Sequence, residues 1–383
     1  MDPQRRGLLA AFGASALLTL FPAAAGAAAR AGSAADTRLL VVLLRGGLDG
    51  LHWLPPYADP VYARLRAAAA VEEPIRIDGL FGLHPAMTET AALYRAGQAL
   101  PVVAVAPPYR ERSHFDAQDC LENGTARPGG ARDGWLGRCV SALPAGQSAL
   151  AVAAVMPLAL RGSERASNWW PPLPKAVDPQ LLQTLGPLYA ADPRLGETFE
   201  RSAQVVAQTR AGTGAFALAE AMRVAGERMG ADGGPRIGFV EDSGWDSHRN
   251  QAQQLARKLA ELDRGLAAAR EGFGATWSRS VIAVVTEFGR TAQVNGTGGT
   301  DHGTGAMALL CGGAVRGGRI AGDWPGLGPN QLNEGRDLRA TTDLRALFKA
   351  LAGEHLGVPE RVLETGLFPD SRAIAPLSGW RAT

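Results

Sequence analysis

The chain is short of several reactive residue types, and each shortage excludes something. Only three of its 383 residues are lysine (Lys175, Lys258 and Lys349), so arginine carries nearly all the positive charge. Lys and Arg together number 39 against 37 Asp and Glu, a formal net charge of +2. That balance supplies no basic stripe for nucleic acid. Three cysteines (Cys120, Cys139 and Cys311) fall at no metal-type spacing and include no C-x-x-C. There is no G-x-S-x-G elbow, no Walker A lysine loop and no H-E-x-x-H. These absences disfavour serine α/β-hydrolases, P-loop NTPases and zincins. The glycine pairs Gly312-Gly313 and Gly317-Gly318 lack the spacing of a dinucleotide site. Beyond the N-terminus, no apolar run is long enough to span a bilayer.

What is present begins with an export signal. Arg5 and Arg6 precede an apolar stretch from Leu8 to Leu20, followed by Ala-x-Ala options near residues 23–29. A charged start, a short apolar core and a small-residue end describe a cleavable secretory signal over residues 1–29. The arginine pair points to the twin-arginine translocase, so a periplasmic or secreted destination is expected. Removing residues 1–30 takes away Asp2, Arg5, Arg6 and Arg30, which leaves the mature chain near zero charge. No membrane span is expected after cleavage. The oxidising destination permits a Cys120–Cys139 bridge, and buried free thiols fit the sequence equally well.

The remaining residues, 36–383, read as one α/β domain. Arg38–Arg45, Pro101–Pro107, Leu150–Met156, Ile237–Glu241, Ser280–Thr286 and Ala306–Cys311 are short apolar runs of the kind that form buried strands. Helices are expected over Thr88–Ala96 and from Asn250 to Phe273, where Leu255, Leu259, Leu262, Leu266 and Phe273 share one face. Strands alternating with helices predict a largely parallel sheet with helices on both faces, three layers in all. The Ser167–Pro174 stretch reads as a loop, and a mostly helical insertion is expected around 160–232.

Ligands in such sheets sit beyond the carboxyl ends of the strands, and the rare residues gather there. Asp49 follows the first strand between glycines. Ser113-His114-Phe115-Asp116 follows the second. Asp246 and His248 follow Ile237–Glu241. Glu287 and Arg290 follow Ser280–Thr286, and Asp301-His302 lies just before Ala306–Cys311. Ser113 reads either as a hydroxyl nucleophile or as a helix N-cap. Carboxylates with neutral imidazoles at loop ends suit Zn, Mn or related divalent metals. Three of the six histidines, His114, His248 and His302, fall in these loops. His52 and His84 also sit in loop-like settings, whereas His355 lies in a helical stretch.

The ordered set Arg5-Arg6, LLRGGLDG, FGLHPAM, RSHFDAQD, GWDSHRNQ, TEFGRT, GTDHGTG and GGRIAGDWPGL resembles the secreted bacterial family called domain of unknown function 1501. That family is grouped with the alkaline phosphatase and sulfatase superfamily. The resemblance implies an alkaline-phosphatase-like fold with one or two divalent ions, Zn or Mn before Ca or Mg, at the carboxyl edge of the sheet. It does not itself supply a substrate; the expected activity is metal-dependent hydrolysis of a small anionic ester, a phosphate or a sulfate. Asp49, Asp246, His248, Glu287, Asp301 and His302 match the metal-ligand positions. Ser113 matches the nucleophile, with His114 as its base and Arg290 on the oxyanion. Trp169, Trp170 and His84 would form a substrate rim. The sequence departs from the pattern at Phe288, where the superfamily places a ligating histidine. Arg290, His114 and His84 are the groups that could replace it.

Overall fold

The computed structural model describes residues 36–171, 179–190 and 216–382, with Gly196 and Phe199 as isolated residues. The expected signal over residues 1–29, and much of the expected insertion, lie outside the described residues. In chain order the elements are β1 (Arg38–Leu44), α1 (Gly50–Trp53), α2 (Tyr62–Arg66), β2 (Ile75–Arg76), β3 (Gly82–Leu83), α3 (Thr88–Arg95) and β4 (Ala99–Ala106). There follow α4 (His114–Asn123), α5 (Trp135–Ala142), β5 (Ala149–Val152), β6 (Ala166–Trp169), α6 (Pro179–Ala190), α7 (Leu218–Gly230) and β7 (Ile237–Asp242). The chain continues with α8 (Gln251–Phe273), β8 (Ser280–Val285), β9 (Ala306–Cys311), β10 (Thr342–Asp343) and α9 (Leu344–Ala350).

Eight strands form one sheet in the order β10-β4-β9-β8-β1-β7-β5-β6. β1 pairs in parallel with both β7 and β8, and β5 pairs in parallel with β7 and β6. Only β9 runs against its neighbours, antiparallel to β4 and to β8. The sheet is therefore largely parallel, as the sequence predicts. Helices cover both faces. β1 shows why: its side chains alternate between two separate cores. Leu40, Val42 and Leu44 join one core, with Met222 and Met229 of α7 and Leu255, Leu259, Leu262 and Leu266 of α8. Leu39, Val41 and Leu43 join the other, with Trp135 and Val140 of α5 and Leu347 and Phe348 of α9. A strand apolar at every position after its first, Arg38, is what a sheet buried on both sides requires.

One expectation is corrected, and one open alternative is decided. Ala166–Trp169 is not loop but the edge strand β6, paired with β5. Its alternation is faint because it is an edge, with Ser167 and Asn168 exposed. The cysteines are also free, and all three are buried. Cys120 lies on the inner face of α4 and Cys139 on that of α5, so the permitted bridge is not formed. Burial pushes both thiols up to about 12, which suppresses the thiolate.

Candidate metal centre

The topology brings distant residues to one edge. β1, β7, β8 and β4 all end on the same side, and the loops that follow them meet there. Because β9 runs the opposite way, the loop before it opens on that edge too. Asp301 and His302 thus meet residues that follow parallel strands. Gly46 makes the meeting possible. It has φ +123°, and a Cβ there would lie 2.4 Å from the Asp246 nitrogen. Any other residue would hold the turn after β1 away from the turn after β7.

Three imidazoles converge. His114 Nε2 lies 3.0 Å from His302 Nε2, and His248 Nε2 lies 3.1 Å from the same atom. Asp246 Oδ1 is 2.9 Å from His248 Nε2 and 3.4 Å from His302 Nε2, and Asp246 Oδ2 is 3.4 Å from His114 Nε2. His114, Asp246 and His302 each offer a donor atom within 4.8 Å of the others, an arrangement that can hold a metal ion. His248 joins from the solvent side.

The partners of the other ring nitrogens fix the tautomers. His302 Nδ1 lies 3.1 Å from the Arg112 carbonyl, which can only accept, so Nδ1 carries the proton. His114 Nδ1 lies 2.8 Å from Glu287 Oε1. That oxygen also accepts from the Gly46 N–H and the Gln118 amide, each at 2.8 Å. It is an acceptor throughout, so His114 Nδ1 donates. His248 Nδ1 faces Asp301 Oδ1 at 3.2 Å, an oxygen that also accepts from the Asn295 amide. All three rings therefore turn Nε2 toward the cluster, as metal-binding histidines do. Bare nitrogens facing one another at 3.0 Å repel unless a positive charge lies among them, either a proton or a cation. The five donor separations also match the edge of about 3.3 Å expected for tetrahedral Zn–N bonds of 2.0–2.1 Å. The donor set fits a divalent metal.

The charges respond as this geometry requires. Burial would raise the Asp246 carboxyl, but the Arg290 guanidinium, bonded to Oδ1 at 2.5 Å, outweighs it and holds the group below its ordinary value. Burial likewise opposes ionisation of Glu287, and hydrogen bonds from His114 and Gln118 reverse the sign. His114 is raised: burial lowers it, and the Glu287 hydrogen bond and charge prevail. His302 is lowered, by burial first and then by His114. Side-chain exposure is zero at Glu287 and Arg290, 22% at His114, 29% at His302, 45% at His248 and 51% at Asp301. The cluster therefore opens to solvent on the His248–Asp301 side.

Several expected site residues take other places. Asp49 is buried and caps α1, accepting from Leu51 N–H at 3.1 Å. Its other oxygen is shared by Arg66 and, at 2.6 Å, the Gln251 amide. Three donors hold its two oxygens, and the Arg66 guanidinium already supplies the cation beside it. Burial would raise its carboxyl, but Arg66 and His52 hold it below the ordinary value. Asp49 reaches the centre only indirectly: Gln251 accepts from Thr300 Oγ1 at 2.8 Å, and Thr300 accepts from Arg290 Nε at 3.2 Å. Glu287 and Asp301 contact the outer ring nitrogens rather than standing among the converging atoms. His114, expected as a base beside Ser113, stands in the donor cluster. Its ring packs on Phe288 at 4.6 Å between centroids, so an imidazole from α4 fills the space beside that phenylalanine. Sequence order gave no sign of this, because the His114–Glu287 contact spans 173 residues.

Ser113 precedes α4 without capping it through its side chain. Its hydroxyl is within hydrogen-bonding reach of the Tyr109 phenol, which donates to Asp116 at 3.0 Å. Among the described residues no hydrogen bond joins the Ser113 side chain to any of the converging donors. His84 accepts from Ala86 N–H and packs on His52, with ring centroids 5.1 Å apart. Trp169 and Trp170 pack on Phe216, and the Arg228 guanidinium covers Trp169. Among the described residues no hydrogen bond or ring contact joins either indole or His84 to the cluster.

Comparison with known proteins gives a family and distant folds. No curated protein matches the chain. Among solved structures, the C-terminal periplasmic domain of EcEptC from Escherichia coli, in complex with Zn, is 11% identical with a TM-score of 0.40. It covers 91% of this chain and 93% of its own. The phosphonate monoester hydrolase of Agrobacterium radiobacter is 11% identical (TM-score 0.35), covering 84% of this chain and 74% of its own. An alkaline phosphatase from the Antarctic bacterium TAB5 is 10% identical (TM-score 0.32), covering 72% and 91%. The family described as "Protein of unknown function (DUF1501)" matches residues 36–367, and the chain belongs to that family.

Proposed function

We propose that this protein is an exported, divalent-metal-dependent hydrolase of small phosphate or sulfate esters. The observation that carries the proposal is the convergence of three imidazole Nε2 atoms and one carboxylate with every Nδ1–H directed outward. His114, His248, His302 and Asp246 would hold one or two ions, Zn or Mn before Ca or Mg. Glu287, Asp301 and the Arg112 carbonyl hold the imidazoles in their donor tautomer. Arg290 fixes Asp246 and places a buried positive charge behind the cluster. A bound divalent ion supplies Lewis-acid polarisation of the ester oxygen. Ser113 is the nucleophile of this reading. It sits at the start of α4, where the first-turn N–H groups face an incoming anion. Its hydroxyl is not spent on a cap. The residues 1–29 carry the chain to the periplasm through the twin-arginine translocase.

A panel of p-nitrophenyl phosphate, phosphonate and sulfate esters tests this with the mature protein loaded with Zn or Mn. Turnover should vanish in His302→Ala and in Ser113→Ala, whose metal content should remain that of the wild type. Turnover retained in His302→Ala sinks the reading. Replacing Arg5 and Arg6 by lysine should leave the precursor in the cytoplasm; continued export would remove the twin-arginine assignment.

A second reading has its own support, the lack of a hydrogen bond between the Ser113 side chain and the donor cluster among the described residues. It makes the protein a non-catalytic periplasmic binder of metal or of a partner on the same fold. Stoichiometric metal with no turnover on any ester would favour it.

A further inference from the structure

The donor tautomer of His302 depends on a single backbone atom, and that atom belongs to a residue in an unusual conformation. Arg112 has φ +61°, a left-handed value that side-chain-bearing residues seldom adopt. Its carbonyl is the acceptor for His302 Nδ1. Its guanidinium leaves in the other direction. Nε and NH2 both donate to Asp337 Oδ2, at 3.0 and 2.8 Å, and NH2 also donates to Glu334 at 2.6 Å. Asp337 is fully buried, and its second oxygen accepts from Arg336 at 2.8 Å. The backbone around Asp337 is held as well: Asp337 bridges Thr291, and Ala292 N–H donates to the Arg336 carbonyl at 3.0 Å. The anchor of the clamp is thus seated on the segment that carries Arg290.

We propose that Arg112 and Asp337 are positioning residues of the metal centre. The forked ion pair holds Arg112 in its left-handed conformation, which aims its carbonyl at His302 Nδ1 and keeps Nε2 free to bind metal. The proposal deepens the metal-centre reading above and rests on it for the role of His302. The clamp itself can be tested without metal.

The test uses the metal-free mature protein, with long-range proton–nitrogen NMR of the imidazoles to read the His302 tautomer and a His302→Gln variant to assign its signals. Zinc affinity is then measured by chelator competition, and thermal melts monitor folding. In wild type, His302 should carry its proton on Nδ1. In Arg112→Gly, which tolerates the left-handed φ but has no clamp, the proton should distribute between the two nitrogens. Zinc affinity should fall 10- to 100-fold, the usual cost of losing an outer-shell partner. Asp337→Asn, which keeps the side-chain shape, should shift both readouts in the same direction, and Arg112→Lys should recover part of each. A lower melting temperature with the wild-type tautomer and wild-type zinc affinity in both Arg112→Gly and Asp337→Asn would overturn the proposal. If Arg112→Gly does not fold, Asp337→Asn and Arg112→Lys decide it. If wild type binds no zinc, the functional reading fails while the tautomer still reports on the clamp.

Discussion

Replacing Glu287 with glutamine separates its charge from its shape. The carboxylate is fully buried and accepts from Gly46, Gln118 and His114 through Oε1, and from Thr286 Oγ1 at 3.0 Å through Oε2. A glutamine oxygen can take the three donors at Oε1, and its amide can donate to the Thr286 hydroxyl, so the folded state loses little. Stability should change by about 1 kcal/mol or less. What is lost is the charge that makes the His114 bond charge-assisted and raises the basicity of Nε2. Zinc affinity should therefore fall about 10- to 100-fold, or about 1.4–2.7 kcal/mol. Glu287→Ala should behave differently. It takes the acceptor from the Gly46, Gln118, His114 and Thr286 donors, at about 1–3 kcal/mol for each that stays buried and unpaired, and should destabilise the fold as a whole. Chelator competition and thermal melts on both variants read the two effects separately. Wild-type zinc affinity in a folded Glu287→Gln would refute the claim that the buried carboxylate charge strengthens His114 as a metal ligand.

Other expectations follow from buried groups. Asp49→Asn leaves the buried Arg66 charge without its anion, so it should cost about 3–5 kcal/mol in a denaturant titration while leaving metal stoichiometry unchanged; metal lost from a folded variant would make Asp49 a ligand. Burial depresses His355 to about 4, whereas the unfolded chain protonates near 6.5. Its contribution is complete above about pH 6.5 and is lost as pH falls toward 4, by about 3 kcal/mol at most. His355→Gln should flatten that acid slope, and an unchanged slope would contradict the burial effect. A thiol reagent should find no reactive cysteine in the native protein and three after denaturation without reductant; one would mean that a disulfide had formed.

Much of the fold could be read in the sequence because the sheet is buried on both faces. Runs such as Arg38–Arg45 and Ser280–Thr286 leave a strong apolar signal, and β9 lies at Ala306–Cys311 as expected. β6 could not be read, because an edge strand needs no apolar alternation. The reversed direction of β9 was equally hidden, since strand pairing leaves no local trace in its residues. At the site, the loops that meet were visible as clusters of rare residues. The roles within them were not, because each depends on which nitrogen faces which oxygen across the sheet edge. Asp49 shows the limit: its glycine-flanked place after β1 suits a ligand, yet Arg66, 17 residues on, occupies its carboxylate. The Arg112 carbonyl left no sequence signal at all, since a backbone acceptor has no residue type.

The most direct measurement is elemental analysis of the folded protein beside His302→Ala and an Asp246→Asn, His248→Ala double variant. At least one divalent metal per chain is expected in wild type and none in the variants, with all three folded. A folded wild-type protein without bound metal that takes up none from solution, or variants that keep the metal, would contradict a centre built from His114, Asp246, His248 and His302.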